Sequence, residues 1–443
     1  MGVLGLVYAL DARPTRAPGS ERHTRVNHDQ TRHRWIEPVA WIVALAAAAV
    51  LLVAADARTG DPDSELHRAI AEDLAHQPAD RWIAPSWGGH WNRTDLYREH
   101  PAGIVVMPQL LIRLGYPAGQ AAYLVNALFQ VLTIILVRQL AVTFVPPGDA
   151  RALAWLLQLL PVAFAYRIRA NHEQVLLAMV LLALVATERS RSNAAWGGVT
   201  ACAVTLALLV KGVFAVMLPV TCAVWLIARP AEGRAARIKT WAGLAGAVLA
   251  AAGAAAWYEH AYLAATGESF VGPYLRQQLG LAAVQRSPGA AIAQKLQNGG
   301  WYLGRIAWFA FPFSLVLLWR GLRAAHAQAG RTAGRGAVAG PGVRRAFGQD
   351  ARALALVLGL AALYVAAFCL SDRRADRYIF PVYFLVGGAG AAVALRTMPL
   401  AGRLASRVAR LGPLDAVAVW LLTFLLALPG GVWRALAPGR PFG

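Results

Sequence analysis

With 443 residues, 58% hydrophobic and 15% charged, and a mean hydropathy of +0.46, the chain departs from soluble domains, which are about half apolar and about a quarter charged. A net charge of +20 would suggest nucleic acid in a soluble protein. Here the basic residues fall between apolar runs as topology signals, so no nucleic-acid partner is expected. The three cysteines, Cys202, Cys222 and Cys369, all lie in apolar runs, which excludes a disulfide framework or a cysteine-bound zinc.

Residues 1–35 carry Arg13, Arg16, Arg22, Arg25, Arg32 and Arg34 and read as a basic cytoplasmic tail. The first span, about Ile36–Ala55, is apolar over the roughly 20 residues a bilayer requires and reads as an uncleaved anchor. By the positive-inside rule it delivers the next segment to the far side of the membrane. That segment is the longest acidic polar stretch of the chain. Asp61-Pro62 has the form of a helix start, with Asp as cap and Pro at the first helical position. Leu66, Ala69, Ile70 and Leu74 then recur at helical spacing, as in a helix lying in the interface. After the Trp- and Gly-rich Trp82–Trp91, the apolar run Ile104–Leu114 is too short to cross and reads as a second interfacial helix.

Further spans are expected at about Ala121–Phe144, Ala152–Tyr166 and from Glu173 to Thr187. Two occupy Asn193–Ala228 with Lys211-Gly212 at the outer bend, followed by Trp241–Tyr262, Trp301–Trp319, one ending near Leu370, one from Tyr378 and a last at Leu414–Leu428. The expected fold is an all-α polytopic membrane protein of about eleven transmembrane helices. It has a single membrane domain over 36–435 with outside loops at 56–120 and 263–300, and a short tail at 436–443. The inside loops are mostly arginine. The outside loops instead hold Asp61, Asp63, Glu65, Glu99, His100, Arg167, Arg169, His172, Glu173, Lys211, Arg276, Arg373, Arg374 and Arg377. Positive charge in several outside loops works against the topology rule; it suits either a shared anion site or lipid headgroups.

The order of five stretches resembles the polyprenyl-phosphate-dependent, GT-C-type glycosyltransferases, in particular the protein O-mannosyltransferases and lipid A aminoarabinose transferases. These are DPDSELHRAIAEDL after the first span, LYREHPAG at the end of the same loop, RANHEQVLL at the second outside turn, LLVKGVFAVMLP at a span boundary, and DRRADRYIFPVYF near the late spans. The likeness covers about residues 36–395. Three departures stand out: the family's adjacent Asp-Glu pair is split here into Asp63 and Glu65 by Ser64, its second proline is Ala102, and its second acid is Glu173 beside His172.

The resemblance implies a GT-C fold and an inverting transfer of sugar from a polyprenyl-phosphate donor to an extracytoplasmic acceptor. Asp63 is then the general base, in a first helical turn where the helix N-terminus favours the carboxylate; Glu65 and Glu173 are the other catalytic candidates. Tyr97, Glu99, His100, Arg169, His172, Lys211, Arg373, Arg374, Arg377 and Tyr378 are candidates for binding substrate or its phosphate, arginine being suited to forked phosphate contacts. Adjacent helical residues face different ways, so His172 and Glu173 are expected to serve different ends, with Glu173 favoured for the site. Lys211 could meet phosphate or merely snorkel. A divalent ion held by Glu99 and Glu173 is the one cofactor the carboxylates would allow. Trp82, Trp87 and Trp91 could stack on sugar or anchor at the interface. A transporter or flippase of an anionic lipid-linked sugar and a non-catalytic envelope-assembly subunit are the competing readings. The expected location is the inner membrane, with the site facing the periplasm or exterior.

Overall fold

The computed structural model describes residues 62–408, apart from 90–92, 94, 168, 281–286, 334–340, 372 and 373. The first and last expected spans, both terminal tails, Asp61, Trp91 and Arg373 lie outside the described residues. Fifteen α-helices make up the described part. In chain order they are α1 Pro62–Ala75, α2 Gly103–Arg113, α3 Ala118–Ala141, α4 Pro147–Leu156, α5 Pro161–Arg167, α6 Glu173–Arg189, α7 Trp196–Lys211, α8 Met217–Ala228, α9 Arg234–Thr266, α10 Val271–Gly280, α11 Pro288–Phe309, α12 Phe313–Ala333, α13 Pro341–Cys369, α14 Phe380–Thr397 and α15 Pro399–Val408. A single bridge, Ser86 to Leu96, ties the Trp-rich turn before α2. The chain is an all-α, multi-pass membrane protein.

α6 is the axis of the bundle. Every residue from Glu173 to Thr187 is buried, and α3, α7, α8 and α14 pack around it. A helix apolar on all sides belongs at the centre of a bundle, and VLLAMVLLALVA within α6 has no polar face to show. The opposite case is α9, apolar but largely uncovered, with Val248, Leu249 and Trp257 exposed, as suits a helix facing lipid.

Five helical stretches are long and apolar enough to cross a membrane among the described residues, or six if the bent pair α11 and α12 is one crossing. Two of the about eleven expected spans lie outside the described residues, and the rest are not all met on that measure, for identifiable reasons. α6 has 17 residues. The expected span Ala152–Tyr166 is broken, with α4 and α5 separated by a 3-10 turn at Leu157–Leu159 and an extended Leu160 before Pro161; proline at a helix start removes a donor and ends the preceding helix. The expected span Trp301–Trp319 is bent by 111° between α11 and α12, around Phe311-Pro312.

The continuous apolar run Trp196–Ala228 is 33 residues long, but its two ends lie at one face. Arg191 donates to the carbonyl of Arg229 at 2.5 Å, and Arg229 donates to Glu188 at 3.3 Å. Residue 229 therefore sits beside the turn that precedes α7, and the chain reverses at Lys211-Gly212, where the sequence places a bend. α1, α2, α10 and the ends of α7 and α9 share a second apolar core, built on Leu66, Ile70, Trp87, Tyr97, Val105, Tyr258, Tyr262 and Tyr274. This cap of loops and short helices covers one end of the bundle and positions the residues described next.

Candidate active site

The first turn of α1 lies against the turn that precedes α6. The Ala170 amide donates to Ser64 Oγ at 2.8 Å, and His67 Nδ1 meets the Ala170 carbonyl at 3.0 Å. A carbonyl can only accept, so Nδ1 of His67 carries the proton. Residues i and i+3 of a helix share a face, so Ser64 and His67 together grip both polar groups of one peptide residue. The serine that splits the two acids is thus a clamp. Its neighbours point elsewhere: Asp63 forms an ion pair with Arg377, whereas Glu65 accepts from Tyr123 at 2.8 Å and from Arg68 at 2.9 Å. Asp63 and Glu65, two residues apart on a helix, do not converge on one point, and Glu65 is engaged within its own helix and with α3.

Behind this layer three imidazoles meet edge to face. His172 lies 4.6 Å from His67 and 4.4 Å from His100, centroid to centroid. His172 immediately precedes α6 and is buried, while Glu173 at the next position faces away from it. Lys211 Nζ donates to Glu173 Oε1 at 2.9 Å, with the two side chains 2% and 0% exposed. Lys211 therefore does not snorkel: its ammonium is held inside the protein by the carboxylate that sequence reasoning places in the reaction. Burial, with the neighbouring His100, His67 and Lys211 adding to it, holds the His172 imidazole well below its ordinary range. Asn171, His172, Glu173 and Gln174 each retain a buried side-chain polar atom with no hydrogen-bond partner in the structure.

The late cluster supplies most of the positive charge. Arg377 meets Asp63, and Arg305 on α11 forms an ion pair with Asp376 at 2.9 Å. Arg169 also acts electrostatically on Asp376 and lies 4.6 Å over the Tyr166 ring. Arg374 is 5.9 Å and Arg305 5.1 Å from the Trp301 ring. Four arginines thus surround two carboxylates here, an excess that suits an anion. Arg305 is a residue that sequence reasoning missed. It sits inside an apolar run near a tryptophan, close to the outer start of the expected span Trp301–Trp319, where the sequence alone gives it no partner. Tyr378 stacks on Phe214 at 5.2 Å and on Phe368 at 5.7 Å, joining the turns that precede α8 and α14 to the end of α13, beside His100, whose ring lies 6.3 Å from Phe214.

Other candidates are placed differently from expectation. Tyr97 is buried against Trp87, 5.1 Å away; both belong to the second core, with Trp87 fully buried. Trp82 carries Arg113 4.6 Å over its ring. Glu99 is held through its backbone, its carbonyl accepting from Gln278 at 2.9 Å. Among the described residues no three His, Cys, Asp or Glu side chains come together so as to hold a metal ion. With Glu173 committed to Lys211, the residues do not fit a divalent ion shared by Glu99 and Glu173.

Two solved structures share this architecture. The crystal structure of ArnT from Cupriavidus metallidurans bound to undecaprenyl phosphate superposes with a TM-score of 0.57 at 18% identity, over 88% of this chain and 65% of that one. The fold is that of ArnT. The apo form of ArnT from the same organism gives 0.58 at 16% identity, over 91% and 66%. This chain thus spans just under two thirds of the length of ArnT, and at these identities the likeness is one of fold. Residues 99–257, from the Glu99-His100 strip through most of α9, match the profile of the dolichyl-phosphate-mannose-protein mannosyltransferase family, so the ArnT fold and a mannosyltransferase-like sequence pattern coincide over α2 to α9. No curated protein sequence matches the chain.

Proposed function

We propose that the protein is an integral-membrane glycosyltransferase that moves a sugar from a polyprenyl-phosphate donor to an acceptor on the outer side of the inner membrane. The observation that carries this reading is the Asp63–Arg377 pair, set at one end of the bundle among Arg169, Arg305 and Arg374. A transferase of this kind needs one carboxylate to take the acceptor's proton and fixed positive charge to stabilise the departing phosphate. Both stand here within one cluster. The fold likeness to ArnT and the profile match over 99–257 support the same conclusion.

In this reading Asp63 is the base and Arg377 its partner in the resting state. When the lipid phosphate enters, Arg377 turns to it, since arginine offers forked donors to phosphate oxygens; the Asp63 carboxylate is then released to accept the acceptor proton. The bond from the acceptor oxygen to the anomeric carbon forms as the bond to the phosphate oxygen breaks. The configuration at that carbon inverts, and the polyprenyl phosphate leaves as an anion among the arginines.

The test is consumption of labelled polyprenyl-phosphate sugars by the full chain in reconstituted membranes, across a panel of hexose and pentose donors with an envelope extract as acceptor. Release of polyprenyl phosphate with label in the acceptor fraction is expected for at least one donor. A folded protein that consumes no donor would contradict the reading.

A further inference from the structure

The bend at Lys211-Gly212 is held by a residue from a different loop. Gly212 has φ +59°, a conformation that suits glycine, and its α-carbon lies against the Tyr274 hydroxyl so closely that a β-carbon would overlap it. That hydroxyl accepts from the Val213 amide at 2.9 Å and donates to the Lys211 carbonyl at 3.3 Å. Tyr274 belongs to α10, whose start is fixed by Glu259: its carboxylate accepts the Phe270 and Val271 amides at 3.0 and 2.8 Å and the Ser269 hydroxyl at 2.6 Å. Phe270 stacks on the Tyr274 ring, 5.0 Å away and nearly parallel. One turn further along α10, Gln278 bonds the Glu99 carbonyl. α10 therefore touches both the Lys-Gly bend and the Glu99-His100 strip, although Tyr274 itself lies behind the site.

We infer that Tyr274 is a positioning residue for the transfer reaction, acting through the backbone of Lys211; the inference rests on the glycosyltransferase reading. Lysine has a long, flexible side chain, so where its ammonium can meet Glu173 depends on where its α-carbon is held. The Tyr274 hydroxyl fixes that point. Through the buried Lys211–Glu173 pair it sets the start of α6, and with it His172 between His67 and His100. Loss of the hydroxyl leaves a backbone donor and acceptor at the bend unpaired, which the chain relieves by shifting. Small displacements of a reaction site cost rate far more than binding.

The experiment uses the full chain in nanodiscs, wild type and Tyr274→Phe, with whichever labelled polyprenyl-phosphate sugar the wild type consumes. The substitution keeps the ring on Phe270 and removes only the hydroxyl. The inference predicts a kcat lower by about tenfold with the donor KM held within about twofold. It also predicts displaced His172 ring resonances in histidine-labelled NMR spectra, assigned by their loss in His172→Gln. An unchanged kcat, or His172 resonances that do not move, overturns it, whatever happens to the thermal midpoint. If the wild type consumes no donor, the glycosyltransferase reading itself fails and the inference falls with it; if the wild type is active and Tyr274→Phe equals it, the inference alone fails.

Discussion

The Glu173–Lys211 pair shows what a buried charge requires. Two charged side chains removed from water are tolerated because each satisfies the other, so removing one leaves the other stranded. Glu173→Gln should lower stability by about 3 kcal/mol or more, read as a fall in the thermal midpoint in detergent. Adding Lys211→Met to that variant should recover part of the loss, because no charge is then left uncompensated; a double variant no more stable than the single would contradict the account. His172 offers a second test. It is held neutral by burial and by His100, His67 and Lys211, while Glu173, its other charged neighbour in sequence, is directed to Lys211. The unfolded chain takes up a proton here that the folded one refuses, so stability is full above the ordinary imidazole value of about 6.5 and falls as the pH drops below it. His172→Gln should flatten the decline in thermal midpoint between about pH 7 and about pH 5; an equally steep decline in the variant would show that the pH dependence lies elsewhere. At the same scale, Ala102 has an amide that donates to the Tyr258 hydroxyl at 3.0 Å, while that hydroxyl reaches the Ile83 carbonyl at 2.8 Å. Proline at 102 would remove the donor, so a residue with a backbone N–H has a structural use there.

Among the elements, α2 meets the end of α7 in close contact at Gly103. A β-carbon there would lie 2.5 Å from the carbonyl oxygen of Leu209, which is backbone and cannot rotate aside. Gly103→Ala should therefore push α2 away from the end of α7 and cost about 1–3 kcal/mol, measured as loss of thermal stability; an unchanged midpoint would mean that α2 shifts freely. The two short helices expected in the first outside loop were legible in the sequence, and their observed limits, Pro62–Ala75 and Gly103–Arg113, agree closely with the reading from the proline start, period and length. The reversal at Lys211-Gly212 was legible for the same kind of reason, since a lysine and a glycine interrupt an apolar run. What was not legible were the breaks inside apolar runs. Leu157–Pro161 and Ala310–Pro312 interrupt helices at prolines, and hydropathy is blind to a proline within an otherwise apolar window. Arg305 was passed over for a different reason: its partner, Asp376, is set by packing between segments far apart in sequence.

Across the whole molecule the two ends are unlike. One end gathers Asp63, the histidines, Asp376 and the arginines of three separated segments; the other holds the network of Glu188 with Arg191, Arg229 and Trp225, which joins α6 to α8. Sequence order could place these residues at a common membrane face, because topology alternates. It could not assign partners, because partners depend on packing between helices far apart in sequence. Thus Asp63 and Arg377, some three hundred residues apart, were each nominated on separate grounds and are joined only in the fold. Tyr97 and Trp87, nominated for their aromatic chemistry, proved to be core. The arrangement makes Asp63 the centre of the account, and sugar transfer by Asp63→Asn tests it most directly. The substitution preserves size and removes the base. In reconstituted membranes with a donor that the wild type consumes, the account predicts a loss of transfer on the order of a hundredfold or more, as removal of a general base entails, with the thermal midpoint maintained. Transfer by a folded Asp63→Asn protein at nearly the wild-type rate would contradict it.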